Sequence, residues 1–467
     1  MWAVVAMACV SLAPEAVRSQ PPVGPPQLEA HVWPHEGRPE TLVAGAADDF
    51  WTISGAHYRF DGTKLGELAF SDRLAGKPPG RIESLRVGPR GQVFVTGVWP
   101  SLGPALSAHD PNGQQLWVRA LGRGAPKGSA TGPVRRGRQE EPIPGITSAE
   151  ILGVDSRGIV QVSGWLQGCV DLAPRPASSV ACATMALAGK NFVGDVDAYP
   201  ELFFTTQFDA SGAWKGSRTF PRLPAREVAW STADDGLAVT AGGWWMTSLA
   251  IQAPAGTPAS IPFDGAGEKS IVVLLDRHGH LGGVLHFMAL EGQAVRSVAF
   301  DRDGSLWMLA TYQPGLEVRG PGRARSGAAA ATCLSLVSLP KKNQKPYVHA
   351  SACLPSLSAS YSAMLSVAAD DRVIISSAPD GLLQGRTLEA PQDLARPPPP
   401  RDVGGNVPRD YAPPRLVVTR HGEPEWSSPI SAWYAVGLPN GWVCFETSKS
   451  LACVSPTATT QSSARPR

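Results

Sequence analysis

The stretch Leu152–Gly164 reads LGVDSRGIVQVSG: a short apolar strand, a turn, and a second strand of alternating apolar residues. Val160 and Val162 keep the period of two that marks a half-buried strand. Asp155 stands three residues before Gly158, a spacing that suits a tight turn with glycine at the positive-φ position. The same form recurs as VAGAADDFWTISG from Val43, LRVGPRGQVFVTG from Leu85 and VAWSTADDGLAVTAG from Val228. It returns again as VAFDRDGSLWMLA from Val298, LSVAADDRVIISS from Leu365 and YAVGLPNGWVCFE from Tyr434. Such self-similarity is the mark of a repeat architecture.

A second hairpin follows most of these units: YRFDGTKLGEL, SAHDPNGQQLWVRAL, TTQFDASGAWKGSRTF, VVLLDRHGHLGGVLHF and LVVTRHGEPEWSSPI. Two hairpins make four antiparallel strands, which is one propeller blade. The first turns (Asp49, Gly91, Gly158, Gly236, Gly304, Asp371, Gly441) are spaced by 42, 67, 78, 68, 67 and 70 residues. The shortest spacing is one compact blade. The longer ones carry insertions at Gly122–Gly145, Gln252–Glu268, Arg319–Ala329 and Ala390–Pro414, rich in Gly, Pro, Arg and Ser and expected to be irregular and exposed. The basic cluster Arg135, Arg136 and Arg138 falls in the first of them and reads as a solvated loop, with an acidic partner as the other reading. The fold expected is all-β, a seven-bladed β-propeller of four-stranded antiparallel blades, with six or eight blades as alternatives. The last unit lacks a fourth strand, and Leu28–Trp33 (LEAHVW) lacks a partner, so the N-terminal strand is predicted to close the last blade and remove an open edge. This divides the chain into a leader and Pro-rich linker at 1–27, a propeller at 28–456 and a disordered tail at 457–467.

Composition agrees with many short strands and many turns. Gly 49 and Pro 44 together make 93 of 467 residues, about a fifth, while 43% of the chain is hydrophobic and supplies a large core. Lys+Arg 42 against Asp+Glu 40 leaves a formal charge of +2, which argues against a dedicated nucleic-acid binder.

Trp2–Ala13 is a twelve-residue apolar run, too short to span a bilayer as a helix and of the length of a secretory signal's apolar segment. No Lys or Arg precedes it, and Cys9 after Ala6-Met7-Ala8 is a candidate lipidation site in a loose lipoprotein-like box. Export, lipidation and a buried N-terminal segment all stand as readings of this run. The other cysteines form three close pairs, Cys169 with Cys182, Cys333 with Cys353 and Cys444 with Cys453. Six cysteines allow fifteen connectivities, and proximity favours the nearest-neighbour one. For the last pair, a turn at Ser448-Lys449 places Cys444 opposite Cys453 at a non-hydrogen-bonded position, with a Cα separation of ~4.5 Å. No CxxC and no histidine at ligand spacing supports zinc instead. Disulfides in turn support export.

Val154–Leu172 joined to Phe203–Phe220, and Leu85–Gly97 joined to His109–Leu121, resemble the secreted bacterial β-propeller repeats of the SBBP type, whose units run roughly as DxxGNVYVTG, GxxxFG and AKxDxxGxLxWxxxFG. That resemblance implies an exported propeller and assigns no catalytic residue.

Other strings suggest chemistry. LVVTRHGEPEW (Leu416–Trp426) resembles the histidine-phosphatase signature, which would make His421 the nucleophile and Arg420 a phosphate clamp. Only 46 residues follow His421, with no second histidine, and the string aligns with the hairpin VVLLDRHGHLGG, so a turn is the preferred reading. Asp301-Arg302-Asp303-Gly304 lacks the remaining ligands of an EF-hand loop. AHDPNGQQLW (Ala108–Trp117) resembles a quinoprotein repeat in one unit only. Trp99, Trp165, Trp244 and Trp245 are read as following second strands and packing between blades, with a stacking platform as the alternative. His278 and His280 flank a turn glycine, and no catalytic or phosphate-binding motif occurs. The expectation is therefore an exported, non-catalytic binding or scaffold protein at the cell envelope, with no cofactor, metal or catalytic residue assigned. Its partner would be a protein or glycan on one propeller face, with membrane attachment only through a lipid anchor at Cys9. The alternative is a propeller enzyme with a quinoprotein-, lyase- or hydrolase-like site assembled across blades.

Overall fold

A computed structural model describes residues 28–34, 41–70, 79–124, 145–173, 180–182, 201–220, 225–243, 248–251, 259–262, 268–289, 295–312, 332–341, 346–354, 363–379, 382, 386–390, 394, 415–447 and 450–456. Seven four-stranded antiparallel sheets form a ring, a seven-bladed β-propeller. Blade 1 is Leu42–Ala44, Asp49–Thr52, Ala56–Arg59 and Lys64–Glu67. Blade 2 is Arg81–Val87, Val93–Trp99, Gly103–His109 and Gln115–Ala120. Blade 3 is Gly145–Val154, Val160–Gln167, Glu201–Phe208 and Trp214–Phe220. Blade 4 is Ala225–Trp230, Leu237–Gly243, Glu268–Leu275 and Leu281–Ala289. Blade 5 is Val295–Phe300, Leu306–Tyr312, Thr332–Leu339 and Tyr347–Leu354, and blade 6 is Met364–Val367, Arg372–Ala378, Arg415–Arg420 and Glu423–Ser428. Blade 7 is Trp433–Gly437, Val443–Glu446, Ser450–Pro456 and, outermost, Leu28–Pro34 from the other end of the chain, with Leu28 opposite Pro456 and Pro34 opposite Ser450. The first strand of each blade neighbours the first strands of the blades on either side, so these strands wall the channel.

The turns explain the repeat. Asp155 Oδ1 accepts from the N–H groups of Arg157 (2.9 Å) and Ile159 (2.8 Å), while Gly158 takes φ 83° and its N–H returns to Asp155 O. Asp110, Asp209 and Asp276 cap their turns in the same way. The aspartate satisfies turn donors, and glycine enters without steric cost a backbone region that other residues adopt only rarely.

Packing corrects one expectation. The alternating second strands are not half-buried but buried on both faces: Val93 and Val95 face blade 1, and Phe94 between them faces blade 3. Leu306 and Met308 likewise face blade 4, whereas Trp307 and Leu309 face blade 6. Among the described residues seven hydrophobic clusters form, one at each blade boundary. A propeller sheet has a neighbour on each side, so the period of two sorts side chains between two cores, not between core and water.

The seam between blades 7 and 1 differs from the rest. Leu42 and Phe50 meet Cys444, Leu451 and Cys453, and the ring of Trp33 packs against those of Phe50 and Tyr58. Cys444 and Cys453 form a disulfide with Cα atoms 4.0 Å apart, in the register predicted from the turn. Cys169 lies directly opposite Cys182, and Cys333 opposite Cys353.

Three further readings change. Trp165 lies inside the strand Val160–Gln167 rather than after it, and packs at the boundary of blades 3 and 4. The insertion ends are not wholly irregular: Arg123–Gly124 joins Cys169–Asp171 and Val180–Cys182 in a small sheet, and Ala259–Pro262 pairs with Ser248–Ile251. The outer hairpin of blade 5, Thr332–Leu339 with Tyr347–Leu354, is not among the second hairpins expected, and its sequence lacks the Asp-x-x-Gly turn of those in blades 2, 3 and 4. Residues 1–27 with Cys9, the tail 457–467, the cluster Arg135, Arg136 and Arg138, and Trp244 and Trp245 lie outside the described residues.

Candidate functional site

The innermost strands set the site. In blades 2, 3, 5, 6 and 7 the first turn is closed by the N–H of Gly88, Asp155, Asp301, Ala368 and Leu438, and in blade 4 by that of Ser231. Four or five residues earlier stand Glu83, Glu150, Arg296, Met364 and Trp433, and in blade 4 Glu227. At ~3.3 Å per residue this level lies ~13–17 Å from the turns, near the opposite mouth of the channel. The ladder breaks at this level in four blades, with register shifts between Ile82 and Ser84, Ala225 and Val228, Val295 and Ser297, and Trp433 and Val436. A bulge turns a side chain out of the pleat, which is how a strand re-aims a residue beside a site. In blade 7 the bulge places Tyr434 at φ 47°, a costly region for a bulky residue.

The mouth has two unlike arcs. Across blades 2–5 it is charged. Glu83 Oε2 accepts from the N–H of Ala149 in blade 3 (3.2 Å), and Arg86 Nη2 lies 3.9 Å from Glu150 Oε1. Burial holds the Arg86 guanidinium below its ordinary pKa, against the attraction of Glu150. Burial also raises the Glu227 carboxyl to about 7; the Glu150 charge adds to this, and the Val298 N–H and Arg296 oppose it. Across blades 6 and 7 the mouth is apolar and open: Met364 is 44% exposed and Trp433 46%. Ser84, Ser297 and Ser366 tie each innermost strand to the next, through Ile151 N, Leu365 O and Ala435 O. These hydroxyls satisfy edge groups that have no strand partner.

Sequence reasoning named none of these mouth residues. The available signal was their offset: Glu83, Glu150 and Arg296 each stand eight residues before the turn glycines Gly91, Gly158 and Gly304. The strings that had suggested chemistry are structural. Arg420-His421-Gly422 makes the turn of the outer hairpin of blade 6, with His421 at φ 51° and Gly422 at φ 84°. Arg420 is held by Glu425 at 2.6 Å, and a side chain at position 422 would collide with His349. Asp301 spends its carboxylate on Ser305 N and Trp307 Nε1. Trp117 donates to Ala210 O (2.9 Å), tying blade 2 to blade 3, and Trp99 is buried between blades 1 and 2. His278 and His280 sit on an exposed turn around Asp276. No group of three or more His, Cys, Asp or Glu residues able to hold a metal occurs among the described residues.

No family model matches this chain, and no curated protein matches it. Among solved structures, a streptogramin B lyase is 8% identical over 92% of this chain and 98% of that one, with a TM-score of 0.41. The extracellular domain of a one-component system from B. thetaiotaomicron is 8% identical over 90% of this chain and 64% of its own, with a TM-score of 0.17. The extracellular domain of a hybrid two-component system from the same organism is 10% identical over 94% and 71%, with a TM-score of 0.17. None of these likenesses bears on activity.

Proposed function

We propose that this propeller is an exported, non-catalytic binding or scaffold protein of the cell envelope whose protein or glycan partner seats at the channel mouth. The observation that carries the reading is Trp433, 46% exposed beside a bulged, positive-φ Tyr434, on the same level as the glutamate arc of blades 2–4. An indole offers a flat apolar platform, and the carboxylates opposite accept hydrogen bonds from a ligand. Export is supported by the Cys444–Cys453 disulfide and by the facing pairs 169/182 and 333/353, which we read as two further disulfides. The leader 1–27, with Cys9 as its lipidation site, and the tail 457–467 complete this organisation. The test is tryptophan fluorescence of the full chain against peptide and glycan panels. Trp433→Ala is expected to abolish the response of any ligand found while leaving the melting temperature within a few degrees. A ligand that binds the variant equally well overturns the placement. Non-reducing peptide mapping from the native host checks export: free thiols with an intact Met1 would defeat it.

One observation favours an enzyme as the second reading. Glu227, its carboxyl raised to about 7 by burial and by the neighbouring Glu150, is the kind of group that serves as a general acid. In that case Glu227→Gln would abolish turnover yet retain ligand binding through Trp433.

A further inference from the structure

On the turn face, away from the mouth, the first turns of blades 1 and 2 enclose a cavity of about 480 Å³. Its floor is built from the second and third strands of blade 1. Trp51 is buried, and the His57 ring stacks on it with centroids 4.0 Å apart and planes 9° from parallel. His57 Nε2 meets Asp49 Oδ2 at 2.5 Å, and the other Asp49 oxygen accepts from the Ala47 N–H at 2.9 Å. Burial pushes the Asp49 carboxyl up, but these hydrogen bonds outweigh it and leave the group below its ordinary value. Gly45 makes the arrangement possible, because a Cβ there would strike the Asp49 carboxylate. With one imidazole nitrogen committed to Asp49, the neutral ring keeps a lone pair on Nδ1. Among the described residues no protein group hydrogen-bonds Nδ1, and His57 lines the cavity.

The rim supplies charge. Arg59 and Arg90 line the cavity from blades 1 and 2, are exposed, and form no ion pair among the described residues, although Asp61 lies within electrostatic reach of Arg59 and the exposed Asp48 also stands on the rim. Leu65, Val87 and Pro111 give it an apolar wall. Its volume is that of a small-molecule site.

We propose that this cavity binds a small polyhydroxy anion, a sugar acid or a sugar phosphate, with Arg59 and Arg90 taking the anionic group and His57 Nδ1 accepting from a hydroxyl. Guanidiniums suit either anion, since both carboxylate and phosphate match their fork of donors. Asp49 fixes the ring so that the acceptor is aimed before the ligand arrives, and the apolar wall takes the C–H face of the sugar. The site stands independently of the channel mouth.

The test titrates the full chain with glucuronate, glucose 6-phosphate and glucose at about pH 8, where an ordinary imidazole is neutral. Calorimetry and the His57 ring resonances are the readouts. At least one anion is expected to bind at least tenfold more tightly than glucose and to shift the His57 resonances. Glucuronate alone would identify a sugar acid, and glucose 6-phosphate alone a sugar phosphate. Arg59→Gln with Arg90→Gln, both exposed and free of ion pairs, is expected to keep the melting temperature and lose at least tenfold in affinity. Trp433→Ala is expected to bind the anion unchanged, which separates this site from the mouth. The proposal is overturned if neither anion binds, if glucose binds as well, if the double arginine variant binds normally, or if the His57 resonances stay still.

Discussion

The ring is built in two ways on its two sides. At the seam of blades 7 and 1, where the chain ends meet, Trp33, Phe50 and Tyr58 pack beside the Cys444–Cys453 disulfide. Across the ring, the boundary of blades 4 and 5 is aliphatic, with Ala238, Val272, Met308, Ala310 and Val337, and its innermost strands carry Glu227 and Arg296. Blades 4 and 5 are joined by an unbroken chain, so their contact needs only ordinary packing. Blades 7 and 1 are joined through Leu28–Pro34, which pairs in blade 7 and leads on in sequence to Leu42 of blade 1, and aromatic rings and a disulfide lie beside that junction. The covalent bond joins two strands of blade 7, while the ring of Trp33 reaches across the boundary to Phe50 and Tyr58 of blade 1.

The strongest challenge to this contrast is removal of Leu28–Pro34. It leaves Ser450–Pro456 as an open edge and is expected to abolish the cooperative unfolding transition, a loss of more than ~5 kcal/mol. A native-like transition in that variant would show that closure is dispensable. Phe50→Ala at the seam is expected to cost about 3–5 kcal/mol in urea, and Met308→Ala across the ring about 2–5 kcal/mol. Equal losses would blunt the distinction. Replacing Cys444 and Cys453 together by alanine is expected to cost about 2–3 kcal/mol, the value for a short closed loop, by the same measurement. The remaining effect belongs to the far side and is spread over a pH range. The Glu227 carboxyl, raised to about 7 in the folded state, keeps a proton there that the unfolded chain has released. Its contribution is complete below about pH 4.5 and disappears as pH rises through 7, a fall of at most about 3 kcal/mol. Glu227→Gln is expected to flatten that slope and to be more stable than the native chain at about pH 8, read from melting temperature against pH.

Much of the fold was legible because its signals are local. Asp-x-x-Gly turns such as Asp155–Gly158 declare themselves within four residues, and the register of Cys444 and Cys453 follows by counting outward from one turn. The outer hairpin of blade 5 was missed because its connecting sequence carries neither that tetrapeptide nor the glycine that marks the outer turns of blades 1 and 6. The two-sided burial of Phe94 and Trp307 was misread because alternation looks the same whether the second face meets water or another blade. The candidate sites were not legible at all. Glu83, Glu227 and Trp433 come from different blades and gather only when the ring forms, and Asp49 with His57 looks like scattered polar residues until the third strand folds back on the second.

The outermost strand of blade 7 is the first described strand of the chain, and its partner Ser450–Pro456 is the last described strand. At 5–20 residues per second the chain needs roughly 20 s to over a minute to travel from one to the other. Through that interval Leu28–Pro34 has no strand partner, so the ring closes only after Ser450–Pro456 has been made. A chain of this design is still open while it is being made, and that is the form in which it could be threaded elsewhere before it locks.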